Sequence, residues 1–201
     1  MHYNISVPIH NLCSLIKVNY LWVSIEKRMA LRSSCGVDIS IMNRDVNEEK
    51  NYRPNVAAVI VSSSYPEKCE VFVAERSDIE GAWQFPQGGV DENEQPREAL
   101  LRELKEEIGT DAVDIIAEYP GWISYDFPDT VAKKMYPYDG QKQRYFLVRL
   151  KEGAEITLDT KVPEFSQYRF VEVGRIIEVV SHFKRTIYKK VLGHFKKTGY
   201  L

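Results

Sequence analysis

Apolar residues along this chain fall into short runs whose spacing changes from segment to segment. Val56–Val61 (VAAVIV) is continuous and apolar, bounded by Pro54 and Ser62–Ser64, and it predicts a buried strand. Glu70–Ala74 is read as an alternating second strand, reached through the Pro-containing loop 62–68. Residues 76–89 carry no period and hold Gly81, Pro86, Gly88 and Gly89, so an irregular segment is expected there. A helix follows over Arg97–Ile108. Leu100, Leu104 and Ile108 form its buried stripe, and Gly109 stands at its C-cap. Further strands are expected at Val113–Ala117, Trp122–Phe127, Arg144–Leu150 and Tyr168–Val173. Two helices close the chain, a short one near Arg175–Val180 and a longer one over Lys184–Lys197. The longer one turns Ile187, Tyr188, Val191, Leu192 and Phe195 to one side. Strands and helices mix without strict alternation, which predicts an α/β fold: a three-layer α/β/α sandwich around a mixed sheet.

The first 45 residues lack a sustained period, because His10, Asn11, Lys17 and Asn19 break their apolar clusters. They are read as a poorly ordered N-terminal extension to a domain spanning 46–201, with Met42 as an alternative start. No basic start and unbroken apolar core mark a secretory signal, and no run of 18 apolar residues marks a membrane span. Composition narrows the picture further. The 201 residues hold 27 Lys+Arg against 29 Asp+Glu, a net charge of −2. That balance excludes binding of nucleic acid by bulk charge alone. Cys13, Cys35 and Cys69 are few, odd in number and widely spaced, which fits a reducing compartment, the cytoplasm, and no disulfide framework.

The chemistry concentrates in GGVDENEQPREALLRELKEEIGT, residues 88–110. Glu103, Glu106 and Glu107 stand at i, i+3 and i+4, within one third of the helix circumference. Like-charge neighbours at that spacing cost about 0.2–0.5 kcal/mol per pair in an isolated helix. Mg²⁺, which takes carboxylate and phosphate oxygens together, is one source of compensation. A solvated acidic face with Glu98–Arg102 and Arg102–Glu106 ion pairs is the other. The setting favours the metal, since the helix follows the Gly88–Gly89 loop, where backbone can approach a ligand closely, and the segment Trp83–Gln87 (WQFPQ).

Gly88, Glu94, Arg102, Glu103, Glu106, Glu107 and Gly109 fall at the spacing Gly-x5-Glu-x7-Arg-Glu-U-x-Glu-Glu-x-Gly-U. By this pattern the chain is identified as resembling the Nudix hydrolase family, with Thr110 in place of the final aliphatic residue. The resemblance implies a Nudix-type α/β/α sandwich that hydrolyses pyrophosphate bonds of nucleoside diphosphate derivatives. It implies that Glu103, Glu106 and Glu107 bind two or more Mg²⁺ ions, with Mn²⁺ as a substitute, and that Glu94 and Arg102 pair at the loop–helix junction. Glu164 matches a fourth metal-site glutamate of close relatives, and either Glu107 or Glu164 takes the proton. Glu107, Glu164, Glu103 and Arg102 are thus the candidate catalytic set.

Within the family, Tyr52–Val56 (YRPNV), Trp83–Gly89 (WQFPQGG), Gly140–Gln143 (GQKQ), Pro163–Phe165 and Phe183–Arg185 resemble the branch that trims 5′-triphosphorylated or diphosphorylated RNA ends to monophosphates, promoting decay. Gly121–Pro128 also resembles a sister branch that hydrolyses asymmetric dinucleoside polyphosphates, which is the alternative. By this resemblance Arg53, Arg76, Gln84 and Lys184 lie near phosphates or the first nucleotide, and Tyr125 and Phe183 stack on a base. Trp83 and Phe85 are open to either a core or a site role. Residues 141–201 hold thirteen basic residues against six acidic ones, while 91–107 hold seven acids against three bases. A basic half beside an acidic pole suits a phosphate chain. Lys189, Lys190, Lys196 and Lys197 are read as solvating the last helix. The expected partner is 5′-phosphorylated RNA or a nucleotide polyphosphate, with no membrane and no DNA, and the chain is expected to act as a monomer. A nucleotide-sensing module without catalysis would usually have lost box glutamates, and all are present here.

Overall fold

The apolar run at 56–61 is unbroken because both faces of its strand are covered. β1 (Tyr52–Val61) sends Ala57, Val59 and Val61 into one core and Val56, Ala58 and Ile60 into another. The computed structural model describes residues 49–201, and everything below concerns those residues. The N-terminal extension, Met42, Cys13 and Cys35 lie outside them.

β1 runs parallel to β7 (Gly140–Leu150), in register from Tyr52 opposite Gly140 to Val61 opposite Arg149. The remaining pairings are antiparallel. β2 (Glu70–Arg76) and β4 (Gln87–Gly89) flank β1, and β3 (Trp83–Gln84) and β8 (Phe165–Glu172) flank β2. β5 (Val113–Glu118) and β6 (Ile123–Asp126) pair with β7. The sheet is therefore mixed, with the path β3-β2-β1-β7-β5.

α1 (Pro96–Ile108) covers one face through Leu100, Leu104 and Ile108, all fully buried. Burying each such side chain contributes about 1.5–3 kcal/mol. Pro96 opens the helix, where its missing N–H is not needed. The Glu98 carboxylate accepts from the Gln95 N–H at 3.0 Å, so Glu98 caps the helix instead of pairing with Arg102. Between β6 and β7 lies the one-turn helix α2 (Asp129–Ala132). The other face of the sheet is covered by α3 (Ile176–Val179) and α4 (Arg185–Lys197). Ile187, Tyr188, Val191, Leu192 and Phe195 pack inward, while Lys189, Lys190, Lys196 and Lys197 are solvated. The expected three layers are present.

Several boundaries differ from expectation. Residues 76–89 contain β3 and β4, because strands of two and three residues carry no readable period and take their order from pairing with β2 and β1. β2 does not alternate in burial. Val71–Ala74 are all fully buried since both faces are covered. Phe85 is core, its ring stacked on Tyr188 at 4.1 Å, with the Tyr188 hydroxyl accepting the Phe85 N–H at 3.0 Å.

α1 ends at Gly109, whose φ of +76° favours glycine, and a Cβ there would lie 2.2 Å from the Thr157 methyl. Gly109→Ala should cost at least about 1 kcal/mol in urea denaturation. A variant as stable as the parent would contradict this account of the helix end.

Candidate active site

The stripe that α1 buries is apolar except at one position. Glu107 lies beside Leu104 and Ile108 on the inner side and is 1% exposed. Its Oε2 accepts the Gln87 N–H at 2.8 Å, and its Oε1 has no protein partner. Burial pushes its pKa well above the usual carboxylate range, and the neighbouring Glu164 and Glu103 carboxylates push it further. Glu103 lies against Gly88, where a Cβ would come within 1.8 Å of its carboxylate carbon. Only glycine admits it there. Burial raises the Glu103 pKa too, against the opposing pull of Arg102.

Arg102 fixes the loop–helix junction. Its Nε and Nη2 grip the two oxygens of Glu94 at 2.8 and 2.7 Å, Nη2 also donates to the Gly89 carbonyl at 2.8 Å, and Nη1 reaches Glu103 at 2.8 Å. A planar fork holding three groups pins helix, loop and β4 together. Glu106, by contrast, points to solvent, 63% exposed and 3.8 Å from Arg102. Among the described residues no three His, Cys, Asp or Glu side chains are already gathered at metal-binding distances. Like charges spread, and Arg102 neutralises part of the cluster. The unpartnered, buried Glu107 Oε1 and the Gly88 cradle around Glu103 nonetheless fit a divalent cation, which suits carboxylate oxygens.

On the far side of β4 the site is basic and amide-rich. Lys184 is 4% exposed and donates to Gln84 Oε1 at 2.7 Å and Gln87 Oε1 at 2.5 Å. Burial lowers its pKa to about 7, Arg76 adds to that effect, and Glu107 opposes it. Arg76 is held bidentately by Asp78 at 2.7 Å and feels the Glu164 and Glu107 charges. Arg53 lies against Gly89, with Nη2 2.5 Å from where a Cβ would stand. The Tyr125 hydroxyl donates to Gln141 Oε1 at 2.6 Å, and its ring lies 6.2 Å from that of Phe183, which is 41% exposed. Trp83 is half-buried, with the Arg169 guanidinium 4.2 Å from its ring centre.

The site residues expected from sequence thus fall into one region, with Glu106 at its solvent-exposed edge, 3.8 Å from Arg102. Sequence reasoning did not select Asn55, Gln87, Gln141, Gln143 and Tyr145 as site residues. All five lie on β1, β4 or β7, and Gln141, Gln143 and Tyr145 alternate on β7. That two-residue spacing ahead of the apolar run was the available signal.

With this geometry in place, comparison with known proteins is direct. Residues 51–191 match the NUDIX domain, and the chain belongs to the Nudix family. It is similar to proteins named RNA pyrophosphohydrolase from several bacteria. Identity is 62% to that of Campylobacter jejuni, over 78% of this chain and 100% of the relative. It is 64% to that of Nitratiruptor, over 76% and 99%, and 59% to that of Helicobacter pylori, over 76% and 98%. Among solved structures the fold resembles the E. coli dihydroneopterin triphosphate pyrophosphohydrolase, with TM-score 0.57 and 19% identity over 72% of this chain and 99% of that one. It also resembles a C. elegans Ap4A hydrolase, with TM-score 0.53 and 18% identity over 71% and 98%.

Lys184 gives stability a defined pH dependence. Its pKa is about 7 folded and about 10.4 in an unfolded chain. Between those values the unfolded chain binds a proton that the folded one does not, so this group's contribution rises with pH from about 7 to about 10. The stability of the parent minus that of Lys184→Met should therefore grow over that window in urea titrations. A difference independent of pH would contradict the burial of this ammonium.

Proposed function

We propose that this chain is an RNA 5′-pyrophosphohydrolase: it cleaves pyrophosphate or phosphate from triphosphorylated or diphosphorylated RNA ends, leaves a 5′-monophosphate, and so promotes transcript decay. The observation that carries this reading is 58–64% identity over 98–100% of the length of relatives bearing that name. The arrangement of acids and bases around α1 is consistent with it.

In this reading Glu103, Glu106, Glu107 and Glu164 hold the divalent metal, Mg²⁺ with Mn²⁺ as a substitute. When bound, the metal neutralises charge on the phosphates and lowers the pKa of water. The protein does the rest. Glu107 Oε1 is unpartnered, and Glu107 and Glu164 beside it are the two candidates for taking the proton from attacking water. Arg102 keeps Glu103 in line through Glu94 and the Gly89 carbonyl. Lys184 spends two of its three N–H groups on Gln84 and Gln87, which leaves one for a phosphate oxygen. Arg76 is freed cheaply, since an exposed pair such as Arg76–Asp78 contributes only about 0–1 kcal/mol. Arg53 beside Gly89 supplies further positive charge. Tyr125 and Phe183 offer faces to the first bases, where stacking contributes about 1–3 kcal/mol per base.

The same reading places the enzyme with RNA, not DNA, in the cytoplasm. In this reading it acts as a monomer.

Hydrolysis of triphosphorylated RNA and of diadenosine tetraphosphate, at matched concentrations with Mg²⁺, tests the substrate. RNA should be cleaved faster, and the reverse preference would overturn the assignment. Glu107→Gln should lower turnover at least about a hundredfold while circular dichroism stays unchanged. Tyr125→Ala should raise KM with little change in metal binding, and an unchanged KM would remove Tyr125 from the substrate site.

A further inference from the structure

A chain of uncharged groups, buried except at half-buried Gln87, runs beneath the phosphate side of the site. The Tyr145 hydroxyl donates to Gln143 Oε1 at 2.5 Å. Gln143 Nε2 donates to Asn55 Oδ1 at 2.6 Å and to Gln87 Oε1 at 3.2 Å. Gln87 Oε1 also receives Lys184 Nζ at 2.5 Å. Gln143 and Tyr145 are fully buried and Asn55 is 1% exposed, so the bonds among them are shut off from water, while Gln87 at the end of the chain is half-buried.

The direction of this chain is forced from one end. A lysine ammonium has donors and no acceptor, so Gln87 must turn its oxygen toward Lys184. A second group meeting that same oxygen must donate, so Gln143 presents its NH₂ and its own oxygen faces the other way. There it takes the tyrosine O–H. Flipping either amide would set like ends against each other in a buried site, at the cost of unmade hydrogen bonds.

We propose that Gln143, locked by Tyr145, is a positioning residue: it holds the Gln87 oxygen on Lys184, so that the third lysine N–H is aimed at a substrate phosphate. This rests on the reading of Lys184 as a phosphate-binding group. The Gln87 backbone N–H holds Glu107 Oε2, so the same residue joins the basic side of the site to the acidic one. Gln143 lies one step away from the reacting groups and acts through Gln87 and Lys184.

A thermodynamic cycle on kcat/KM for triphosphorylated RNA tests the idea, with Gln143→Leu, Lys184→Met and the double variant. Gln143→Leu should lose roughly tenfold to a hundredfold, the scale on which outer-shell partners of functional groups act. The double variant should lose no more than Lys184→Met alone, because Gln143 has nothing left to position. A merely structural role would instead make the two losses multiply. Tyr145→Phe removes only the hydroxyl, and it carries the same test should Gln143→Leu fail to fold. It should lose several-fold in the parent background and nothing further in Lys184→Met. Losses that multiply in the double variants, or kcat/KM retained at the parent level in folded Gln143→Leu, would overturn the proposal. An unmutated chain that does not hydrolyse RNA ends would overturn the functional reading instead.

Discussion

A carboxylate on the buried stripe of a helix is a cost that must be met locally, and Glu107 imposes that constraint on its surroundings. One oxygen is satisfied by the Gln87 N–H and the other by nothing in the protein. Burial and two neighbouring carboxylates push its proton affinity up. A hydrophobic residue would be expected in this place on packing grounds alone. The site is therefore built against local stability and held by what surrounds it, as is common where function and packing compete.

What surrounds it is a set of close approaches. Gly88 makes room for Glu103, and a side chain there would fill the space of its carboxylate. Arg102 converts mutual repulsion among acids into a clamp across Glu94, Gly89 and Glu103. β4 holds Gln87, Gly88 and Gly89 in register opposite Ala57, Val56 and Asn55 of β1, the central buried strand. The geometry of the acids thus traces back to the β1–β7 ladder and the two cores on its faces.

Beyond Gln87 the constraint changes sign. Lys184 is buried without a carboxylate touching it, its charge accepted by two amide oxygens. Acid and base are kept on opposite sides of one short strand, joined through the backbone of one residue and its side chain. A polyphosphate with several negative oxygens suits such a pair of poles better than a single charge would.

The apolar periods alone specified the stripes of α1 and α4, the buried run of β1 and the glycine ending α1. Each depends on residues near in sequence. The spacing of Gly88, Glu94, Arg102 and the three glutamates revealed the Nudix box, since a helix fixes which residues share a side. Tertiary structure alone decided that Glu107 is buried, that Glu106 points outward, and that β3 and β4 are strands. It also decided that Asn55, Gln143 and Tyr145 form a directed chain to Lys184. The last of these comes from pairings across 88 and 97 residues of sequence, where Gln143 meets Asn55 and Lys184 meets Gln87. No local period encodes such a meeting, because the energy of a buried amide depends on which donor the fold brings to it.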